Sequence, residues 1–160
     1  MDGEVIFLDT TYLLPFFQIP VNVKDFSKRI FEETLRKFQF ISVSELSLIE
    51  VLFIATKLYL KREVSDNIFK TFKENLTVLK EDDRFMIKTL SDTDVKNYKY
   101  LLDLKSGLNP IDRIILAQGA NADIFLTEDK DLLELGKTKK FREKFSVNVV
   151  NWRQYIKLFK

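Results

Sequence analysis

The chain contains no histidine and no cysteine in 160 residues, and only three prolines and four glycines. Each absence removes a class of chemistry. Without cysteine there is no disulfide framework and no thiol chemistry, which makes the cytoplasm the default compartment. Without histidine there is no usual general base, no zinc site of the usual kind, and no Ser-His-Asp or Cys-His scheme. Any reaction must run on carboxylates, hydroxyls, lysine, arginine and a metal ion. No apolar run approaches the roughly 18 to 20 residues needed to cross a bilayer. The first residues include Asp2 and Glu4 instead of a basic stretch, so no secretory signal is expected. With no repeat, no low-complexity tract and no Pro/Gly-rich linker, residues 1–160 read as a single domain.

What is present points to a globular α/β protein. Apolar residues make up 46% of the chain and charged residues 31%. Short continuous apolar runs at Val5–Leu8, Phe38–Ile41, Phe85–Thr89, Ile124–Leu126 and Val147–Val150 predict buried strands, because a parallel sheet covered on both faces needs continuous apolarity. Helical periodicity falls between them, at 23–38, 44–60, 64–79, 93–104, 111–120, 130–135 and 152–159. The helix over 44–60 is apolar around much of its circumference and is expected to be buried. Alternating strands and helices predict a mainly parallel sheet. In such sheets ligands bind beyond the carboxyl ends of the strands.

Four acids stand out: Asp9, Glu50, Asp112 and Asp129. Asp9 follows a strand and precedes a helix start, where it serves as N-cap, ligand or both. Asp112 lies in the first turn of a helix opened by Asn109 and Pro110, where it either offsets the helix dipole or binds a cation. Asp129 sits in Leu126-Thr-Glu-Asp-Lys-Asp131, where acids are denser than one cap requires. Glu50 is placed on an apolar helix between Leu46 and Ile54, and a buried charge needs a partner or a metal. Glu45 has a capping-box explanation with Ser42 as N-cap, which leaves Glu50 as the stronger candidate. Asp131, Thr127 and Thr10 are secondary candidates, as a further ligand and as groups that orient water or cap helices. A ring of carboxylates is best tolerated around a hard divalent cation, since Mg²⁺ and Mn²⁺ prefer oxygen ligands. Setting these acids aside widens the excess of the 26 basic over the 24 acidic residues. An acidic cleft on a basic body suits a polyanionic substrate; an ordinary Lys/Glu-rich surface would read the same way.

The succession Val-Ile-Phe-Leu-Asp9, Ile-Glu50-Val-Leu, Leu-Asn-Pro-Ile-Asp112-Arg-Ile-Ile and Ile-Phe-Leu-Thr-Glu-Asp129-Lys-Asp resembles the PIN domain family over nearly the whole chain. The resemblance implies a Rossmann-like three-layer α/β/α sandwich with a central, mostly parallel five-stranded sheet. It also implies Mg²⁺- or Mn²⁺-dependent RNA cleavage, with Asp9, Glu50, Asp112 and Asp129 in the acidic positions and Thr127 as the hydroxyl before the last acid. Within the family the chain looks most like VapC-type ribonuclease toxins, which implies a homodimer and a small antitoxin partner. It departs from them by extra length around Lys61–Arg84 and by Arg113, where a small residue is more usual.

The expected chemistry is attack on a phosphodiester by metal-activated water, leaving 3′-hydroxyl and 5′-phosphate ends. The basic residues considered for the RNA approach are Lys57, Lys61, Arg62, Lys139, Lys140 and Arg142. Three other readings compete. One is a PIN-like module that binds RNA or protein without cutting. A second is a nuclease of ribosomal or transfer RNA maturation. A haloacid-dehalogenase-like phosphatase would need an acid where Thr11 stands.

Overall fold

A computed structural model describes residues 4–160. Strands β1 (Val5–Leu8), β2 (Phe40–Ser44), β3 (Phe85–Lys88), β4 (Ile124–Leu126) and β5 (Asn148–Val150) form one sheet in the order β3-β2-β1-β4-β5. Every pairing is parallel. The expected "mostly parallel" sheet is thus wholly parallel. Strand β1 sits at the centre, with Phe7 opposite Ser42 on one side and opposite Phe125 on the other. The chain leaves β1 toward β2 and later returns to place β4 on the other flank, so the carboxyl ends of β1 and β4 frame the switch in strand order where ligands gather.

Helices cover both faces. They are α1 (Thr10–Leu13), α2 (Lys28–Leu35), α3 (Glu45–Leu60), α4 (Ile68–Glu81), α5 (Asp92–Leu104), α6 (Pro110–Gly119), α7 (Lys130–Lys137), α8 (Lys139–Lys144) and α9 (Trp152–Lys157), with a 3₁₀ turn at Leu14–Phe17 after α1. Strand side chains alternate between two cores. Ile6, Leu8, Ile41 and Val43 point to the core shared by α1 to α4 and α9, where Tyr12, Phe31 and Trp152 are fully enclosed. Phe7 and Phe125 point to the core shared by α5 to α8 and stack at 5.2 Å between ring centroids. The result is the three-layer α/β/α sandwich.

Several boundaries moved; the helix expected over 64–79 runs Ile68–Glu81, and the shifts of β2 and α2 have physical reasons. Strand β2 starts and ends later than 38–41, because Ser42 and Ser44, polar in sequence, lie in the ladder opposite Met86 and Lys88. The capping box proposed for Ser42 and Glu45 is absent. Ser44 is the N-cap of α3, its hydroxyl accepting from the Leu46 amide at 3.1 Å, and Glu45 is exposed. Helix α2 is shorter than the apolar stripe over 23–38 suggested, because Ser27 caps it from the Ile30 amide. Helix α3 is also less buried than expected. Ser47, Leu48, Val51 and Ala55 face inward, while Ile49, Phe53 and Leu60 are exposed. No helix among the described residues is long and apolar enough to cross a membrane.

Candidate active site

Asp9 lies one residue past β1, in extended backbone that turns at once into α1. One carboxylate oxygen accepts from the Thr10 amide at 2.8 Å, so it is the N-cap. The other accepts from the Thr127 hydroxyl at 2.5 Å. The same hydroxyl accepts from the Asp129 amide at 3.0 Å, which draws the β4–α7 turn against the end of β1. Asp129 in turn caps α7, accepting from the Leu132 amide at 2.9 Å. From the other side the Thr10 hydroxyl donates to Glu50 at 2.5 Å. Glu50, Thr10, Asp9, Thr127 and Asp129 therefore form one hydrogen-bonded chain across the carboxyl edge of the sheet.

Asp112 completes the constellation from the first turn of α6, a helix opened by Asn109, whose side chain accepts from the Ile111 amide at 2.8 Å, and by Pro110. Its carboxyl pKa is pushed up to about 6, by burial first and then by Asp129, Asp9, Glu50 and Asp131. Asp9 is likewise raised to about 6. Burial is the main cause, the bonds from Thr127 and Thr10 oppose it, and Glu50 and Asp129 add to the rise. Asp9 keeps some accessible surface although protein atoms crowd it on all sides, so solvent softens the full burial penalty. These carboxylates feel one another, the signature of a shared site.

Whether such a set suits Mg²⁺ or Mn²⁺ rests on donor type and spacing. All donors are oxygens, as hard cations require. Among the described residues, however, no three acidic side chains stand close enough to form a ready metal cage. The acids neighbour one another without closing on a single point. Mg²⁺ is commonly held by only one or two carboxylates, with waters and substrate phosphate supplying the rest, so this looser grouping fits in kind.

The secondary candidates divide. Thr10 and Thr127 are both tied to acids of the set. Asp131 is exposed and paired with Lys105 at 2.6 Å, which explains it without a ligand. Glu50 proves partly exposed, and the Thr10 hydroxyl is its partner, so the argument from an uncompensated buried charge does not carry it; its place beside Thr10 does. Arg113, buried to 3% exposure, points away from the acids' chemistry. It donates to the carbonyls of Ser106 at 2.8 Å and Leu108 at 2.7 Å and to the Tyr98 hydroxyl at 3.0 Å. It fixes the loop before α6 and so the pose of Asp112. Glu128 went unremarked between Thr127 and Asp129. It accepts from both the Tyr12 hydroxyl and the Trp152 amide, the latter at 2.8 Å, and ties three turns together. The surplus of acids at 128–131 was its signal. All six cations considered for RNA are exposed, with Lys139 paired to Glu143.

A profile of the PIN domain matches residues 6–138. No curated protein sequence matches the chain. Among solved structures, a chain of VapBC2 from Rickettsia felis, bound to a promoter DNA fragment, aligns with a TM-score of 0.57 at 19% identity, covering 92% of this chain and 98% of that one. VapBC-1 from nontypeable Haemophilus influenzae gives 0.56 at 15% identity, over 93% of this chain and 98% of that one. A toxin-antitoxin complex from Klebsiella pneumoniae gives 0.53 at 18% identity, over 89% and 95%. Identities this low speak to the fold alone. The profile spans four of the five strands and all four acids, and on that match the chain belongs to the PIN domain family.

Proposed function

We propose that this protein is a metal-dependent endoribonuclease whose reaction is hydrolysis of RNA phosphodiester bonds, and that it acts as the toxin of a toxin-antitoxin pair. The observation that carries the first part is the bonded chain from Glu50 through Thr10, Asp9 and Thr127 to Asp129, with Asp112 electrostatically joined to it. Carboxylates at the carboxyl edge of a parallel sheet, in a chain without histidine, suit one chemistry above others. Asp9, Asp112 and Asp129 would hold Mg²⁺ or Mn²⁺, with Glu50 binding directly or through water. When bound, the cation supplies an activated water and offsets charge on the phosphate oxygens.

The protein's own groups do the positioning. Thr127 and the Thr10 amide hold the two oxygens of Asp9 in one rotamer. Thr10 holds one oxygen of Glu50 and leaves the other free to take a proton from, or orient, the attacking water. The caps made by Asp9 and Asp129 anchor both carboxylates to rigid helix starts, which preserves their geometry. The toxin role is supported by the fold shared with VapBC chains. Two partners follow from it: a small antitoxin, and a second copy of the chain in a homodimer.

The test is cleavage of synthetic RNA in Mn²⁺ by wild type and Asp112→Asn, side by side with excess EDTA. Metal-dependent cutting to 3′-hydroxyl and 5′-phosphate ends, lost in the variant, is the expected result. Cutting that survives EDTA and leaves a 2′,3′-cyclic phosphate would defeat the mechanism. Growth arrest on expression, relieved by a short protein encoded beside the gene, separates the toxin role from RNA maturation.

A further inference from the structure

Among the described residues, every ion pair but one joins side chains no more than four positions apart in sequence. The exception lies beside the acids. Lys105, one residue past α5, meets Asp131 in the first turn of α7, with Nζ 2.6 Å from a carboxylate oxygen. Both partners belong to the surroundings of Asp112. Arg113, the next residue along α6, donates to the carbonyl of Ser106 at 2.8 Å and so fixes the chain just after Lys105. On the other side, the negative charge of Asp131 is felt by Asp112.

The fold does not need this bridge. Exposed ion pairs add little to stability, and α5 already meets α7 through a core that holds Leu101, Leu132 and Leu135. The electrostatics of the edge give it another use. Asp9, Glu50, Asp112, Glu128, Asp129 and Asp131 gather there, and an RNA strand brings further negative charge to them. Phosphates on either side of the one being cut need a cation from the protein itself. Lys105 is the only cation in ion-pair contact with any of these acids among the described residues. Its side chain keeps 32% of its surface accessible and that of Asp131 63%, so a phosphate oxygen can reach the ammonium. A compact charge on a flexible stem suits that task.

We propose that Lys105 binds a backbone phosphate of the RNA strand next to the one being cut, and that Asp131 holds its ammonium at the edge until the strand displaces it. The proposal rests on the nuclease reading above and adds a substrate-positioning residue to it. Because the contact is to the backbone, it sets affinity and register and carries no sequence preference.

The experiment is steady-state cleavage of a fluorescently labelled oligoribonucleotide by the full protein in Mn²⁺, over a range of salt. Lys105→Met should raise KM about fivefold with kcat little changed, and should reduce the slope of log KM against log salt by about 0.7 to 1. Lys105→Arg should stay close to wild type. Asp131→Asn should lower KM about twofold, because the ammonium loses its competitor, and that gain should disappear in the Lys105→Met background. A bridge with a structural role alone would make Lys105→Met and Asp131→Asn behave alike, since each breaks the same pair. Like behaviour, or a KM and salt slope unmoved by Lys105→Met, overturns the proposal. Asp131→Asn, which leaves Lys105 in place, decides the matter if Lys105→Met fails to fold.

Fluorescence anisotropy of the same oligonucleotide in EDTA reads binding without cutting. Binding with a salt slope that depends on Lys105, but no cleavage, would sink the nuclease reading and spare this one. Cleavage indifferent to Lys105 would do the reverse, and RNA neither bound nor cut would defeat both.

Discussion

Asp9 and Asp112 carry the same electrostatic burden but differ in what else they do. Asp9 is bonded to Thr10 and Thr127, whereas Asp112 is raised by burial and by its acidic neighbours. Asp112→Asn therefore tests charge with the least structural damage. A carboxyl whose folded pKa lies above its unfolded value near 3.8 stabilises the fold only below that value, and loses the advantage as pH rises toward about 6. In chelator at pH 7.5 the Asn variant should thus be the more stable, by about 1 kcal/mol once solvent screening is discounted. The difference in thermal midpoint should shrink below pH 6 and vanish near pH 4; a constant difference would mean that the Asp112 carboxyl is not raised in the folded chain. Thr127→Val should cut metal-dependent cleavage by roughly tenfold or more, because Asp9 and the Asp129 amide lose their common tether. Circular dichroism of the same variant checks that the fold survives.

At the scale of elements, three helix starts beside the acids were readable, while the starts of α2, α3 and α4 were not. Asp9, Asn109 and Asp129 cap where their sequence context placed them, and the five apolar runs became the five strands, with β2 displaced. Helix α8 and the 3₁₀ turn were not legible, since six and four residues give too short a period to detect. The four acids could be named one by one, but the bonds that join three of them come from tertiary packing: Thr10 reaches Glu50 where α1 meets α3, and Thr127 reaches Asp9 because β1 and β4, more than a hundred residues apart, pair side by side. Arg113 reads as a charge on a helix and becomes a buried brace only because the loop before α6 folds back over it. Arg113→Met should destabilise by about 2–4 kcal/mol, since two loop carbonyls lose a charged donor. Urea unfolding measures it. Gly119 gives a second prediction. A Cβ there would lie 2.4 Å from the Phe125 ring and 2.9 Å from that of Phe7, both fully buried. Gly119→Ala should cost about 1–3 kcal/mol by overpacking, despite better helix propensity.

For the molecule as a whole, the test of the acidic constellation is linkage. A cation that binds only the folded chain stabilises it by about 2.7 kcal/mol at a hundred times its dissociation constant. Millimolar Mn²⁺ should therefore raise the thermal midpoint of wild type by several degrees and leave Asp9→Asn nearly unmoved; an indifferent wild type would count against the site. The outer face of α3 bears on assembly. Phe53 is 60% exposed and Leu60 72% exposed, an apolar stripe of the kind that marks contact surfaces. Phe53→Glu should lower the mass seen by light scattering if two copies meet there.

The central seat of β1 also governs when the acidic constellation can assemble. Its partner on one flank emerges early in synthesis, but the other, β4, is made more than a hundred residues later. A pairing so remote along the chain is slow to close and cannot close on an unfinished polypeptide. Asp9 and Thr127 are separated by 118 residues of chain, so their bond forms only once that whole stretch has been made. The tether between Asp9 and the Asp129 turn therefore arrives only after β4 has been made and paired.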